Sequence, residues 1–199
     1  AGGREEWLRS RQNSSAHNDQ KQSSGPMTTN DAFARALEGA VCRNLPGIEK
    51  IDRLHRLSGG GSQETWLFDA VGANGTTPLI LRRAPESVSD GTWVSIPLEI
   101  EAELITRATA EGVPSPPIHY VLQPSDGAGS GFVVDFIEGE TFVRRILRNE
   151  QYAVAREAMI GQMGDALARI QRVDATDIAG LPVLDAAAQV AKNKEIYLS

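Results

Sequence analysis

The chain has 199 residues, 41% of them hydrophobic and 23% charged, with a formal net charge of −6. That length suits one good-sized core or two small lobes, and the acid excess argues against a nucleic-acid partner held mainly by counterion release. The single cysteine, Cys42, excludes an internal disulfide and fits a cytoplasmic protein, while no apolar run reaches the ~20 residues of a membrane span.

Residues 1–27 carry Ser, Gln, Asn and Gly and little to bury, so they read as a disordered native tail or as a tag ahead of Met27. From Asn30 or Asp31, either of which can cap a helix, apolar residues recur at Phe33, Leu37, Ala40, Val41 and Leu45. This is helical spacing, and Pro46-Gly47 stops it. Strands are predicted over 50–57, 65–71 and 78–84. Asn74-Gly75 marks a hairpin between the last two. After a polar connection (85–96), a helix is predicted over 97–111, with Pro97 in its first turn and Gly112 and Pro114 closing it.

Residues 116–123 form a fourth strand, and 132–137, nearly all apolar, a buried fifth. From Glu140 the chain turns helical: a short piece to about Leu147, a longer helix over 151–173 and a last one over 183–197. The longer helix carries Ala155, Met159, Met163, Ala166, Leu167, Ile170 and Val173 on one face. The reading is therefore α+β: a five-stranded antiparallel sheet with one packed helix over 28–137, then a hinge and the start of a helical lobe over 138–199. The apolar helix face needs cover from further protein, and is otherwise exposed or buried by self-association.

The run LSGGGSQETW (57–66) places Gly59, Gly60 and Gly61 at the turn of the first hairpin. Glycine loses more backbone entropy on folding than any other residue, so three in a row need a reason. One reading is a plain hairpin turn. A second is a phosphate cradle opening a helix, but such loops need a helix next, and here a strand follows. A third is a flap between two strands, whose bare N–H groups, with the Ser62 hydroxyl, cover nucleotide phosphates.

The third reading makes demands. A cation should stand on the third strand, a carboxylate on the next helix should hold it, and a buried strand should lead into a backbone segment facing the base. ILRR supplies the cation, and period-2 alternation puts Ile80 with Arg82 on one face and Leu79, Leu81 and Arg83 on the other. The helix offers Glu99, Glu101 and Glu103, of which Glu99 and Glu103 are expected in solvent. Arg83 is the fallback cation if the register is off by one, and a solvated Arg82-Arg83 edge pair is the bland alternative. His55 and His119 read as ordinary strand residues, so no metal site is expected from this chain.

Together LSGGGSQETWLFD (57–69), LILRRAP (79–85), EAELITRATAEGVPSP (101–116), GFVVDFIEGET (131–141) and ALARIQRVD (166–174) resemble the N-terminal half of the aminoglycoside phosphotransferase / choline kinase-like family. These are small-molecule kinases with a protein-kinase-like fold, and the branch resembled most is the one associated with acyl-CoA dehydrogenases. The resemblance implies that Gly59, Gly60, Gly61 and Ser62 lie over ATP phosphates. It puts Arg82 in the place of the family's lysine, with Glu101 as its carboxylate partner. Val134 backs the adenine pocket, Asp135 and Ile137 offer backbone groups to the adenine edge, and Ile80, with Trp66 or Phe68, walls the base. Gln171 stands where the family often has a histidine.

The resemblance also implies a His-Gly-Asp-x-x-x-x-Asn loop for the catalytic aspartate and Mg2+; no His-Gly-Asp occurs in these residues, and the one His-x-Asp, His17-Asn18-Asp19, lies in the N-terminal 1–27 stretch. The chain is therefore expected to be part of a longer kinase, or else a stand-alone shortened relative, and to be inactive by itself. The function implied is the ATP-binding half of a phosphotransferase acting on a small-molecule hydroxyl. A non-catalytic nucleotide-binding or regulatory module is the alternative.

Overall fold

The computed structural model describes residues 29–57, 63–85, 96–183 and 185–198. The elements are α1 (Thr29–Asn44), β1 (Ile48–Leu57), β2 (Glu64–Gly72), β3 (Gly75–Arg83), α2 (Leu98–Ala110), β4 (Ile118–Val121), β5 (Gly131–Asp135), α3 (Val143–Arg148), α4 (Ala153–Ile170) and α5 (Ala186–Leu198). Short 3₁₀ turns cover Pro124–Asp126 and Glu150–Tyr152. The strands form one antiparallel sheet in the order β1-β2-β3-β5-β4, the α+β arrangement expected of a kinase N-terminal lobe.

Several boundaries differ from expectation for identifiable reasons. Helix α1 starts at Thr29, so Asn30 and Asp31 lie inside its first turn rather than ahead of it. There the Asp31 carboxylate still suits the positive end of the helix dipole. Strand β3 begins at Gly75 because Ala73 and Asn74 alone make the turn, pairing Gly72 with Gly75. It tolerates Pro78 because pairing with β5 begins only at Leu79. The proline stands at the end of that ladder, where its carbonyl takes the Phe136 N–H (3.4 Å) and its missing N–H costs one terminal bond at most. Strand β4 shrinks to four residues, behind Pro116 and Pro117 and with a register shift between Ile118 and Tyr120. Strand β5 ends at Asp135, leaving Phe136 and Ile137 outside the sheet.

Side-chain alternation splits the core in two. Helix α1 lies on one face of the sheet, where Leu37, Val41, Phe68, Leu79, Leu81 and Val133 are wholly or almost wholly buried. Each such side chain contributes about 1.5–3 kcal/mol by leaving water. Helix α2 covers the β4–β5 half of the opposite face, packing Leu98 and Ala102 on Phe132, Val134 and Ile80.

The sheet is tied at its rim by buried ions. Asp126 accepts hydrogen bonds from Arg43 of α1 (2.7 Å), the Tyr120 hydroxyl (2.7 Å) and the Gln123 N–H (2.8 Å). Burial alone would raise its pKa, but these donors and the Arg43 charge outweigh that and hold the carboxyl below its usual range. On β1 a register shift between Asp52 and His55 accompanies a left-handed Arg53 (φ 51°), whose guanidinium pairs with the buried Asp69.

Residues 138–183 and 185–198 carry three α-helices joined by turns and are largely exposed. The predicted 151–173 helix is a 3₁₀ turn followed by α4. Met159, Ala166 and Val173 of its apolar face are half-buried, while Met163, Leu167 and Ile170 stand in solvent, with Phe142, Val143 and Leu147 before them. No helix among the described residues is long and apolar enough to cross a membrane.

Candidate functional site

Strand β3 carries two adjacent arginines through the middle of the sheet, and alternation sends them apart. Arg82 emerges on the α2 face. Its Nη2 lies 3.0 Å from Glu101 Oε1, and its guanidinium carbon sits 5.7 Å from the centre of the Phe132 ring. Glu101 lies in the first turn of α2, whose Leu98 and Ala102 are anchored on the sheet, so the helix presents the carboxylate to the strand. The expected Arg82–Glu101 pair is therefore formed.

A third residue completes it. Gln63, at the exit of the glycine run, accepts hydrogen bonds from Arg82 Nε (3.1 Å) and Nη2 through its Oε1. It donates from Nε2 to Glu101 Oε2 (2.9 Å). The amide bridges cation and anion, and ties the chain leaving the loop to both β3 and α2. The Arg82 side chain is 40% exposed, and Nη1 has no partner among the described contacts.

Arg83 goes to the other face and is buried. It donates to Glu64 Oε2 (3.1 Å) and, through Nε, to the Ala128 carbonyl (2.8 Å), and its guanidinium stacks on Phe33 at 4.4 Å. Gly129 makes this possible: its φ is +85°, and a Cβ there would stand 3.1 Å from Arg83 Nε. Glu64 also takes the Trp66 indole N–H (3.0 Å) and pairs with Arg56. Burial pushes its carboxyl upward, and the Trp66 and Arg83 hydrogen bonds and neighbouring charges more than reverse this. Arg83 is thus a core anchor, and the solvated edge pair does not exist.

The remaining predicted residues divide. Ile80 and Val134 are register partners on the Arg82 face. Trp66 and Phe68 are not beside them: both lie on the α1 face, Trp66 against Phe33 at 5.0 Å and Phe68 wholly buried. The residue on Ile80's face of β2 is its direct partner Leu67, which is also buried. The Asp135 carboxylate is engaged by His119 Nε2 at 2.6 Å, and Ile137 is exposed beyond the strand end. Glu99 and Glu103, exposed as expected, still have partners: Ser130 Oγ donates to Glu99 (2.6 Å) and Arg107 Nε to Glu103 (2.8 Å). Gly59, Gly60, Gly61 and Ser62 lie outside the described residues. Among the described residues no group of three or more His, Cys, Asp or Glu side chains is arranged to hold a metal ion.

The arrangement offers an apolar floor (Leu67, Ile80, Val134) on the same sheet face as a half-exposed guanidinium held by a carboxylate and an amide. Leu67 and Val134 are buried and Ile80 is half-buried beside α2, so the group this face presents to solvent is the Arg82 guanidinium, which can meet an anion. No curated protein matches the chain in sequence. A model of the phosphotransferase enzyme family matches residues 53–192. The match takes in all five paired strands except the first residues of β1, together with Gln63, Arg82 and Glu101, and extends over well more than half of the 199 residues. On that match, and on the sheet and helix arrangement that accompanies it, the chain belongs to the phosphotransferase enzyme family.

Proposed function

We propose that this chain is the nucleotide-binding part of an ATP-dependent phosphotransferase acting on a small-molecule hydroxyl. The observation that carries the reading is the Arg82–Gln63–Glu101 cluster on the face that also presents Ile80 and Val134. An arginine whose Nε and Nη2 are held by an amide and a carboxylate is fixed in orientation before any ligand arrives. Its remaining N–H groups meet phosphate oxygens with little further ordering. The family match supports the reaction class.

The residues fit ATP in kind: a guanidinium for the phosphates, apolar side chains for the base, and the backbone of Asp135 to Ile137 for its polar edge. Magnesium, when bound with ATP, supplies charge neutralisation at the phosphates. Arg82 holds the phosphate oxygens, Glu101 and Gln63 orient Arg82, and Leu67, Ile80 and Val134 exclude water from the base. The His-Gly-Asp-x-x-x-x-Asn loop that would supply the base does not occur in these residues, so in this reading the 199 residues bind nucleotide without transferring phosphate. A hydroxyacyl thioester, an aminoglycoside-like compound and an amino alcohol are the acceptor classes in view.

The test is calorimetric titration of the chain with ATP and magnesium. Saturable one-to-one binding that Arg82→Ala weakens at least tenfold, about 1.4 kcal/mol, is expected. Absence of binding by a folded wild-type chain would refute the reading.

A further inference from the structure

The helix that carries Glu101 is fastened at its far end to residues beyond the sheet. Arg107, in the last turn of α2, donates from Nη1 to the Asp174 carbonyl (2.8 Å) and from Nη1 and Nη2 to the two Asp177 oxygens, the latter at 3.3 Å. Its Nε is held by Glu103 one turn back. The receiving turn is already built: the Asp174 carboxylate takes both the N–H and the hydroxyl of Thr176, which aims the 174 carbonyl and the 177 side chain together. Just past the helix, Arg169 of α4 donates to the Gly112 carbonyl (2.9 Å) and Arg172 pairs with Glu111 (3.5 Å). Gly112 has φ +80°, a conformation that favours glycine, and a Cβ on it would displace the Arg169 guanidinium from its present place.

We infer that Arg107 and Asp177 are positioning residues: they form a latch that sets the placement of α2, and through it holds Glu101 against Arg82. Glu101 and Arg107 lie about 9 Å apart along one helix axis. The sheet holds the helix by Leu98 and Ala102, near Glu101's own turn, with the partly buried Ile105 continuing that stripe and Ser130 bonded to Glu99. Without the latch the helix keeps that apolar stripe but loses the side-chain contacts that tie its last turn to residues 174–177, and it can tilt on the stripe. Every bond of the latch links α2 or the turn after it to residues 169–177, so a movement of the helical segment is passed to the Arg82 cluster. Glu101 and Arg107 touch no common residue in the described contacts, so the coupling runs through the rigid helix rather than through a chain of side chains. This rests on the reading above only in assigning Arg82 to phosphate; the placement of α2 is independent of it.

The experiment is hydrogen exchange by mass spectrometry on the full chain, comparing wild type with Asp177→Asn, which removes the charge, and Asp177→Glu, which keeps it. Magnesium-ATP affinity is measured on the same three proteins. The expected result is that exchange over residues 98–106 quickens about fivefold in Asp177→Asn, that Asp177→Glu restores it, and that β2, β3 and β5 are unchanged. Nucleotide affinity falls by a similar factor in Asp177→Asn and recovers in Asp177→Glu. Faster exchange confined to residues 107–112, faster exchange throughout the sheet, or unaltered nucleotide affinity alongside a loosened helix would each overturn the latch. A wild-type chain that fails to bind ATP would instead count against the proposed function, and the exchange result would still decide the latch.

Discussion

Arg82 and Arg83 are neighbours on one strand and leave the sheet on opposite faces, each to its own carboxylate: Arg82 to Glu101 at 3.0 Å, half-exposed, and Arg83 to Glu64 at 3.1 Å, buried. One residue of register separates a half-exposed cation from a core anchor. Two changes of the same kind, one position apart, should therefore have opposite consequences.

Removing Arg83 leaves Glu64 as a buried charge that has lost its one buried cation and keeps the half-exposed Arg56 and the Trp66 N–H. Arg83→Ala is expected to lower stability by about 3–5 kcal/mol, read as a shift in the denaturant midpoint. Arg82→Ala breaks a partly solvated pair and is expected to lower stability by less than about 1 kcal/mol. If the two variants melt alike, the division of labour between the faces is wrong.

Gln63 tests the bridge. Gln63→Ala removes the link between Arg82 and Glu101 but leaves their direct contact, so nucleotide affinity should fall about threefold to tenfold, within the net worth of one or two hydrogen bonds. Gln63→Glu places a second carboxylate beside Glu101. It should bind magnesium-ATP more weakly than Gln63→Ala, because like charges now compete for one guanidinium. An equal or stronger affinity for Gln63→Glu would mean that the amide does not orient the arginine.

The buried carboxylates give a pH dependence of known sign. Glu64 and Asp126 are both held below their usual pKa in the folded chain, burial opposing the shift and hydrogen bonds with arginine charge prevailing. Such groups add stability that is complete above the unfolded carboxyl pKa, about 4, and is lost as pH falls through the lower folded value. Wild-type melting temperature should therefore drop steeply below about pH 4. Asp126→Asn should melt lower than wild type at neutral pH and show a shallower acid decline. Parallel acid declines would contradict the assignment.

Much of this was legible in the sequence. Hydrophobic period placed five strands and the α2 helix, and alternation through ILRR assigned Arg82 and Arg83 to their faces. The pairing of Arg82 with Glu101 followed from the family resemblance. The error over Trp66 and Phe68 was avoidable in principle. The two-residue turn at Ala73-Asn74 fixes every partner in the hairpin, and it pairs Leu67 with Ile80 and Trp66 with Leu81. Gln63 carried no signal, because an amide next to a glycine run looks like loop polarity until the strand and helix converge on it. The Arg107–Asp177 latch joins residues 70 positions apart, and no local pattern announces such a contact. The Glu64–Arg83 anchor was hidden for another reason: a buried arginine depends on Ala128 and Gly129 of a distant turn making room for it.

The most direct measurement is a magnesium-ATP titration of three folded proteins: wild type, Arg82→Ala and Glu101→Gln. The account predicts saturable binding by wild type, at least a tenfold loss in Arg82→Ala, and a smaller loss in Glu101→Gln, whose amide still touches the guanidinium but no longer carries charge. Equal affinity in all three would show that the triphosphate does not meet Arg82.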